Sequence, residues 1–307
     1  TLCQDLVNSG TDHVESNLLA FFEPVPPVLN LLQEWSGTGL LDFEDSEGLT
    51  QALVPVLDSL PQITGLSVGF SDGSGYFLSR DQTSQGHYQT QTVSPETSGV
   101  TSIWTTGIGS AAEPEKEVRE DRYDPRERPW FRGAFEDPNA AGIHWTDPYL
   151  FFDREKLGMT ASIPLEDANG RSGVISLDLL LDDISRLGET LEVSPNGFLI
   201  VVTEDVKLIG LPRHPDLQDE KAKSEAYLKT PGDLGIPLFT YASLQFLKRF
   251  DLQPGELLSI EVAESEANAP FRWSFEGEGW WSYVRACAIE GGPLLWIGVA
   301  LPESDFL

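Results

Sequence analysis

The sequence predicts an α+β fold made of two consecutive modules, each an antiparallel sheet flanked by helices. Three observations carry this reading. The hydrophobic period is helical near the start of the chain and then changes to alternation. Strand-like runs come in pairs joined by short Gly- or Asn-containing turns, as in "SVGFSDGSGYFLS" and "IPLEDANGRSGVISL". Regular crossover helices between strands are missing, which disfavours a parallel sheet.

The elements follow in order. Val14, Leu18, Leu19, Phe22, Val28, Leu31, Leu32 and Trp35 recur near helical spacing over residues 12–36, and "EPVPP" at 23–27 must interrupt that helix because interior prolines remove a donor and clash. Leu49, Leu53, Val56 and Leu57 mark a second helix in "DSEGLTQALVPVLDSLP". A hairpin turning at "SDGSG" comes next, then "GHYQTQTV" as a further strand. After the segment "YDPRERPWF" a second hairpin turns at "EDANGR", and Leu180, Leu181, Ile184 and Leu187 restore the helical period. Another hairpin, "PNGFLIVVTEDVKLIG", precedes helices near 218–229 and 234–249. Three strands close the chain: "ELLSIEVAE", "GWWSYVRACAIE" and "PLLWIGVALP". The expected division is 1–60 for the N-terminal helices, 61–194 for the first module and 195–307 for the second, with the boundary near "LEVSPNG".

Composition narrows the function. The 307 residues carry 49 acidic side chains against 20 basic ones, a formal charge of −29. Such a surface repels nucleic-acid phosphates and anionic lipid heads. The two cysteines, Cys3 and Cys287, belong to no metal-binding pattern, and would pair only if the chain ends meet. The sequence shows no hydrolase, P-loop or dinucleotide motif, so neither an enzyme nor a cofactor is expected. No apolar run reaches the length of a membrane span, and the missing initiator Met and leader suggest an excised fragment.

Against this acidity "YDPRERPWF", Tyr123 to Phe131, gathers three aromatic residues and two arginines in nine positions. The order "YDPRERPWF…WTDPYLFF…TASIPLEDANGRSGVISLDLLLDDIS" resembles the double Cache family, the extracytoplasmic sensor regions of bacterial chemoreceptors, histidine kinases and nucleotide cyclases. The likeness covers most of the chain and is strongest over 123–187. It implies two PAS-like antiparallel sheets in tandem along a long N-terminal helix, a small-molecule site in the membrane-distal module, and anchoring by membrane helices outside this sequence. It also allows a homodimer through the N-terminal helix.

The amino-acid-binding subgroup of that family has a motif that maps here onto Tyr123, Arg128, Trp130 and Phe131, with Tyr149 and Asp178 downstream. Phe131 stands where Tyr is more usual, which removes one hydroxyl. By this resemblance Arg128 would fork onto a ligand carboxylate and Asp178 would take its ammonium. Read without the resemblance, Arg128 is an ordinary ion-pair former in an acidic chain. Alternation puts Val174, Ser176 and Asp178 on one strand face, yet Asp178 before "LLLDDIS" also suits a helix N-cap. Trp130 and Phe131 would wall the ligand or simply form core, and Tyr123 and Tyr149 offer hydroxyls beside apolar rings. Trp104 and Trp145 are further candidates for the same space, while Arg126 reads as structural. A sensor for an amine, a short carboxylate or a purine is the nearest alternative. A ligand-free ectodomain and a secreted hydrolase are alternatives from other classes.

Overall fold

The computed structural model describes residues 2–81, 86–94, 101–110, 113–136, 142–152, 156–191, 194–259, 269–289 and 291–306. Helix α1 (Leu2–Phe22) begins ten residues earlier than its apolar spacing suggests. Its buried stripe is Thr11, Val14, Leu18 and Phe22, and the threonine breaks the apolar signal. Helix α2 (Val25–Thr38) starts on the prolines, which a first helical turn tolerates, and stops at Gly39 in the left-handed region. Helix α3 (Ser46–Ser59) is capped by Asp45, which accepts from the Gly48 amide.

The first sheet contains β1 (Gly65–Phe70), β2 (Gly75–Arg80), β3 (Tyr88–Val93), β4 (Ser102–Ile108), β5 (Glu115–Arg119), β6 (His144–Trp145), β7 (Tyr149–Leu150), β8 (Leu157–Glu166) and β9 (Ser172–Leu180). Helix α4 (Pro129–Glu136) lies between β5 and β6 in the chain. Strand order is β5-β4-β3-β2-β1-β9-β8-β6, with β7 paired to β8. Neither β4 nor β5 stands out in the sequence. Strand β5 reads "EKEVR" and is exposed throughout, as suits a charged sheet edge.

Strand register separates the two faces of this sheet. Leu66, Val68, Leu78, Ala161, Ile163, Ile175 and Leu177 share the apolar face, where α2 contacts β9 and α3 contacts β2. The opposite face carries a row running Trp104–Gln91–Phe77–Ser67–Ser176–Ser162, and beside it Asp178 opposite Thr160 and Gly65.

Helix α5 (Leu181–Thr190) follows β9 directly. The second sheet holds β10 (Phe198–Val202), β11 (Leu208–Gly210), β12 (Phe271–Phe275), β13 (Glu278–Ala288) and β14 (Leu294–Pro302), in the order β11-β10-β14-β13-β12. Helices α6 (Glu220–Ala226) and α7 (Pro237–Phe250) intervene. Glu256–Ser259 is not a strand, contrary to the reading of "ELLSIEVAE"; residues 260–264 lie outside the described residues, and β12 is the neighbour β13 takes. Arg285 on β13 pairs with Asp12 and with Glu15 (2.7 Å), fixing α1 to this sheet. On the other side Trp273 stacks on Trp280, and Phe198 meets Phe239 of α7 edge-on. This aromatic density is therefore core. Cys287 is a fully buried free thiol, pushed up to about 12 by burial and the nearby Glu15; the side chain of Cys3 lies outside the described residues.

Contacts divide the chain into two compact units. One comprises Glu23–Tyr149 and Gly158–Leu180; the other comprises Thr1–Phe22, Leu150–Leu157 and Leu181–Leu307.

Candidate functional site

The segment that follows β5 folds back over the polar face of the first sheet. Arg122, exposed, adopts a left-handed φ of 53°, a conformation that costs a non-glycine residue free energy and turns the chain sharply. Tyr123 follows and is buried. Asp124 accepts from the Arg126 amide (2.9 Å) and pairs with its guanidinium (2.7 Å), which closes a 3-10 turn over Pro125–Glu127. The hydrogen bond from Arg126 holds the Asp124 carboxyl below its usual range. Arg126 is thus structural, as its sequence context suggests. Arg128 is extended (φ −85°, ψ 146°), as a residue before proline must be, and Pro129 then opens α4. Tyr123 and Arg128 consequently bracket a rigid turn.

This cover sits directly on β1. A Cβ placed on Gly69 would lie 2.7 Å from Pro125 Cβ and 3.0 Å from the Trp130 ring, so only glycine fits there. Ser162 of β8 donates to the Trp130 carbonyl at 2.9 Å, pinning the start of α4 to the sheet. Trp130 and Phe131 are both buried in a cluster with Ala134 and Val174, and Phe131 stacks on Phe135. Phe77, which no sequence motif singles out, meets Tyr123 edge-on at 4.8 Å and Trp130 at 6.3 Å.

The two opposite charges converge on Tyr149. The Arg128 guanidinium carbon is 5.6 Å from the centre of the Tyr123 ring and 5.9 Å from that of Tyr149. Asp178 lies within β9, on the same face as Ser176; it is a strand residue and not a helix cap, since α5 begins only at Leu181. Its Oδ1 accepts from the Thr160 hydroxyl at 2.8 Å, and that hydroxyl lies 2.8 Å from the Tyr149 hydroxyl. An ionised carboxylate only accepts, so Thr160 spends its single proton on Asp178 and Tyr149 donates to Thr160. Burial, reinforced by the charge of Asp178, raises the Tyr149 phenol far above its ordinary value, while Arg128 pulls the other way. Thr160 is a link that the sequence did not reveal.

The two remaining candidates are placed elsewhere. Trp145 of β6 is in register with Ala161, on the apolar face, whereas its neighbour His144 is in register with Ser162. Trp104 is on the same face as Asp178 but four strands away, and its indole donates to Asp121 Oδ2 at 2.8 Å. Among the described residues no cluster of three or more His, Cys, Asp or Glu side chains could hold a metal ion.

Residues 57–186, which contain all of these groups, match the model of the methyl-accepting chemotaxis protein-like first PDC sensor domain. The curated relatives that the chain matches are named as methyl-accepting chemotaxis proteins. PscA of Pseudomonas syringae pv. tomato is 34% identical over 94 residues, covering 31% of this chain and 14% of the receptor. PctB of Pseudomonas aeruginosa is 29% identical over 114 residues, covering 37% and 17%. The matches therefore span only about a seventh to a sixth of those receptors. Among solved structures, the ligand-binding domain of the Pseudomonas fluorescens chemoreceptor CtaA, in complex with L-alanine, aligns over 99% of both chains with a TM-score of 0.53 and 14% identity. That of PctB, in complex with L-Arg, aligns over 100% of this chain and 90% of its own, with a TM-score of 0.54 and 17% identity. The α+β architecture with two antiparallel sheets is thus the fold of these ligand-binding domains.

Proposed function

We propose that this chain is the extracytoplasmic ligand-sensing region of a transmembrane signalling receptor, and that it binds a free α-amino acid on the polar face of the first sheet. The observation that carries this is the convergence of the Arg128 guanidinium and the Asp178 carboxylate on Tyr149. An α-amino acid presents a carboxylate and an ammonium at a fixed separation. Arg128 offers a planar fork for the first and Asp178 a half-buried acceptor for the second, with Tyr123 and Trp130 supplying ring surface. The role is recognition and not catalysis. The sheet-one unit would be the membrane-distal module, and any self-association would run through α1. No helix among the described residues is long and apolar enough to cross a membrane, so the reading places the anchors outside this sequence.

The test is calorimetric titration of the wild type and Arg128→Ala with a panel of free amino acids. Each charge-assisted hydrogen bond contributes about 1.5–3 kcal/mol, so the variant should lose roughly tenfold to a hundredfold in affinity for every amino acid that binds. An Arg128→Ala protein that binds each of them as tightly as the wild type overturns the assignment.

A further inference from the structure

The polar face of the first sheet carries a second carboxylate, at the end away from Asp178. Asp121 follows β5 and is tied to β3 and β4. Its Oδ2 accepts from Gln91 Nε2 (3.0 Å), from Trp104 Nε1 (2.8 Å) and from the Ser102 hydroxyl. All three donors crowd one oxygen. The other, Oδ1, is buried and has no hydrogen-bond partner among the described residues. No cation pairs with Asp121 among the described residues: Arg119, close by in sequence, pairs with Glu117 at 2.7 Å and lies over the Trp104 ring at 4.8 Å. Gln91, Ser102 and Trp104 are themselves buried. A buried carboxylate oxygen with no donor is costly, and a native fold retains one where something else supplies the donor.

Its position says what that donor is. Gln91 and Trp104 stand in the same cross-strand row as Phe77, which touches Tyr123. Asp121 therefore lies on the face that the Tyr123–Phe131 segment covers, two residues from Tyr123 across the left-handed turn at Arg122. Gln91 on β3 and Asp178 on β9 are three strand spacings apart, about 14 Å at roughly 4.8 Å each, and two residues apart along the strands, about 7 Å, which puts their Cα atoms about 16 Å apart before side-chain length is counted. In an extended arginine or lysine the α-nitrogen and the terminal nitrogen are about 7–9 Å apart from ordinary bond lengths. One hydrogen bond of about 2.9 Å at each end extends the reach to roughly 13–15 Å. Building on the amino-acid reading above, we propose that Asp121 sets ligand specificity: it receives a positive charge at the far end of the ligand side chain and so selects basic α-amino acids. Three donors on Oδ2 hold the carboxylate in one orientation and leave Oδ1 for the ligand.

The experiment titrates L-arginine, its uncharged isostere L-citrulline, and L-alanine into the wild type, Asp121→Asn and Arg128→Ala. The wild type should bind arginine about tenfold or more tighter than citrulline. Asp121→Asn should remove most of that preference and leave alanine and citrulline affinities within about twofold. Equal wild-type affinity for arginine and citrulline overturns the proposal with no variant needed, as does an Asp121→Asn protein that keeps the preference. Alanine binding without arginine binding overturns it and leaves the amino-acid reading standing. Loss of binding in Arg128→Ala, with no effect in Asp121→Asn, separates the two in the same way. Absence of binding by all three ligands overturns both.

Discussion

Thr160→Val removes the hydroxyl that joins Asp178 to Tyr149 while nearly conserving side-chain shape. Thr160 is fully buried, so the change is read against an otherwise intact packing environment. Two hydrogen bonds of 2.8 Å are lost, one to a carboxylate and one to a phenol. The first class contributes about 1.5–3 kcal/mol and the second about 0.5–1.5 kcal/mol. Asp178 is half-buried, and water replaces part of what it loses, so the low ends apply and the sum is roughly 2 kcal/mol. For a protein of this size each kcal/mol lowers the melting temperature by about 2–4 °C, which gives an expected drop of about 4–8 °C. Thermal unfolding followed by circular dichroism measures it. Thr160→Ser keeps the hydroxyl and loses one methyl, at a cost of about 1 kcal/mol, so it should melt between wild type and Thr160→Val. A Thr160→Val protein that melts with the wild type, or above Thr160→Ser, would show that the Tyr149–Thr160–Asp178 chain contributes nothing to stability.

Two further outcomes follow from the packing. Gly69→Ala places a methyl 2.7 Å from Pro125 and 3.0 Å from Trp130, so the cover must lift; destabilisation of about 1–3 kcal/mol is expected together with loss of amino-acid binding, read by thermal unfolding and calorimetry. Wild-type values for both would mean that the cover does not rest on β1. Arg285→Ala leaves Asp12 and Glu15 without their partner, and hydrogen exchange should show α1 amides from residue 8 to residue 18 losing protection, with unchanged protection counting against the contact.

What the sequence disclosed was what is encoded locally. The β1–β2 and β8–β9 hairpins were legible because their turns carry their own chemistry: Asp72 accepts from the Ser74 amide, Asp167 accepts from the amides of Asn169 and Arg171, and Gly73 and Gly170 take positive φ. Alternation along β9 likewise put Asp178 on the correct face. The alternative, a helix cap, fails because the chain stays extended through Leu180. Pairing between distant strands has no such local signature. Thr160 meets Asp178 through the β8–β9 register, and Gln91 meets Trp104 through the β3–β4 register. Trp145 illustrates the same limit from the other side. Two residues of edge strand fix its direction, and a shift of one position would have put it beside Ser162 in place of His144.

The composition of the covered face favours recognition over plain packing. A sheet face roofed by Phe77, Tyr123 and Trp130 could be closed most cheaply with valine and leucine, as the opposite face is. Instead Ser67, Thr160, Ser162 and Ser176 lie beneath the roof, none more than 7% exposed. Thr160 and Ser162 have assigned work, orienting Asp178 and pinning α4. Small side chains there keep the roof's rings from sinking onto the strands, and hydroxyls keep the floor polar where it faces a guanidinium and two carboxylates. A face with charge of both signs, held in place by its own hydrogen bonds, matches a zwitterion better than it matches an apolar core. That is why the Arg128 and Asp121 variants are expected to divide binding energy between the two ends of one ligand while leaving the apolar side of the sheet, and with it the fold, intact.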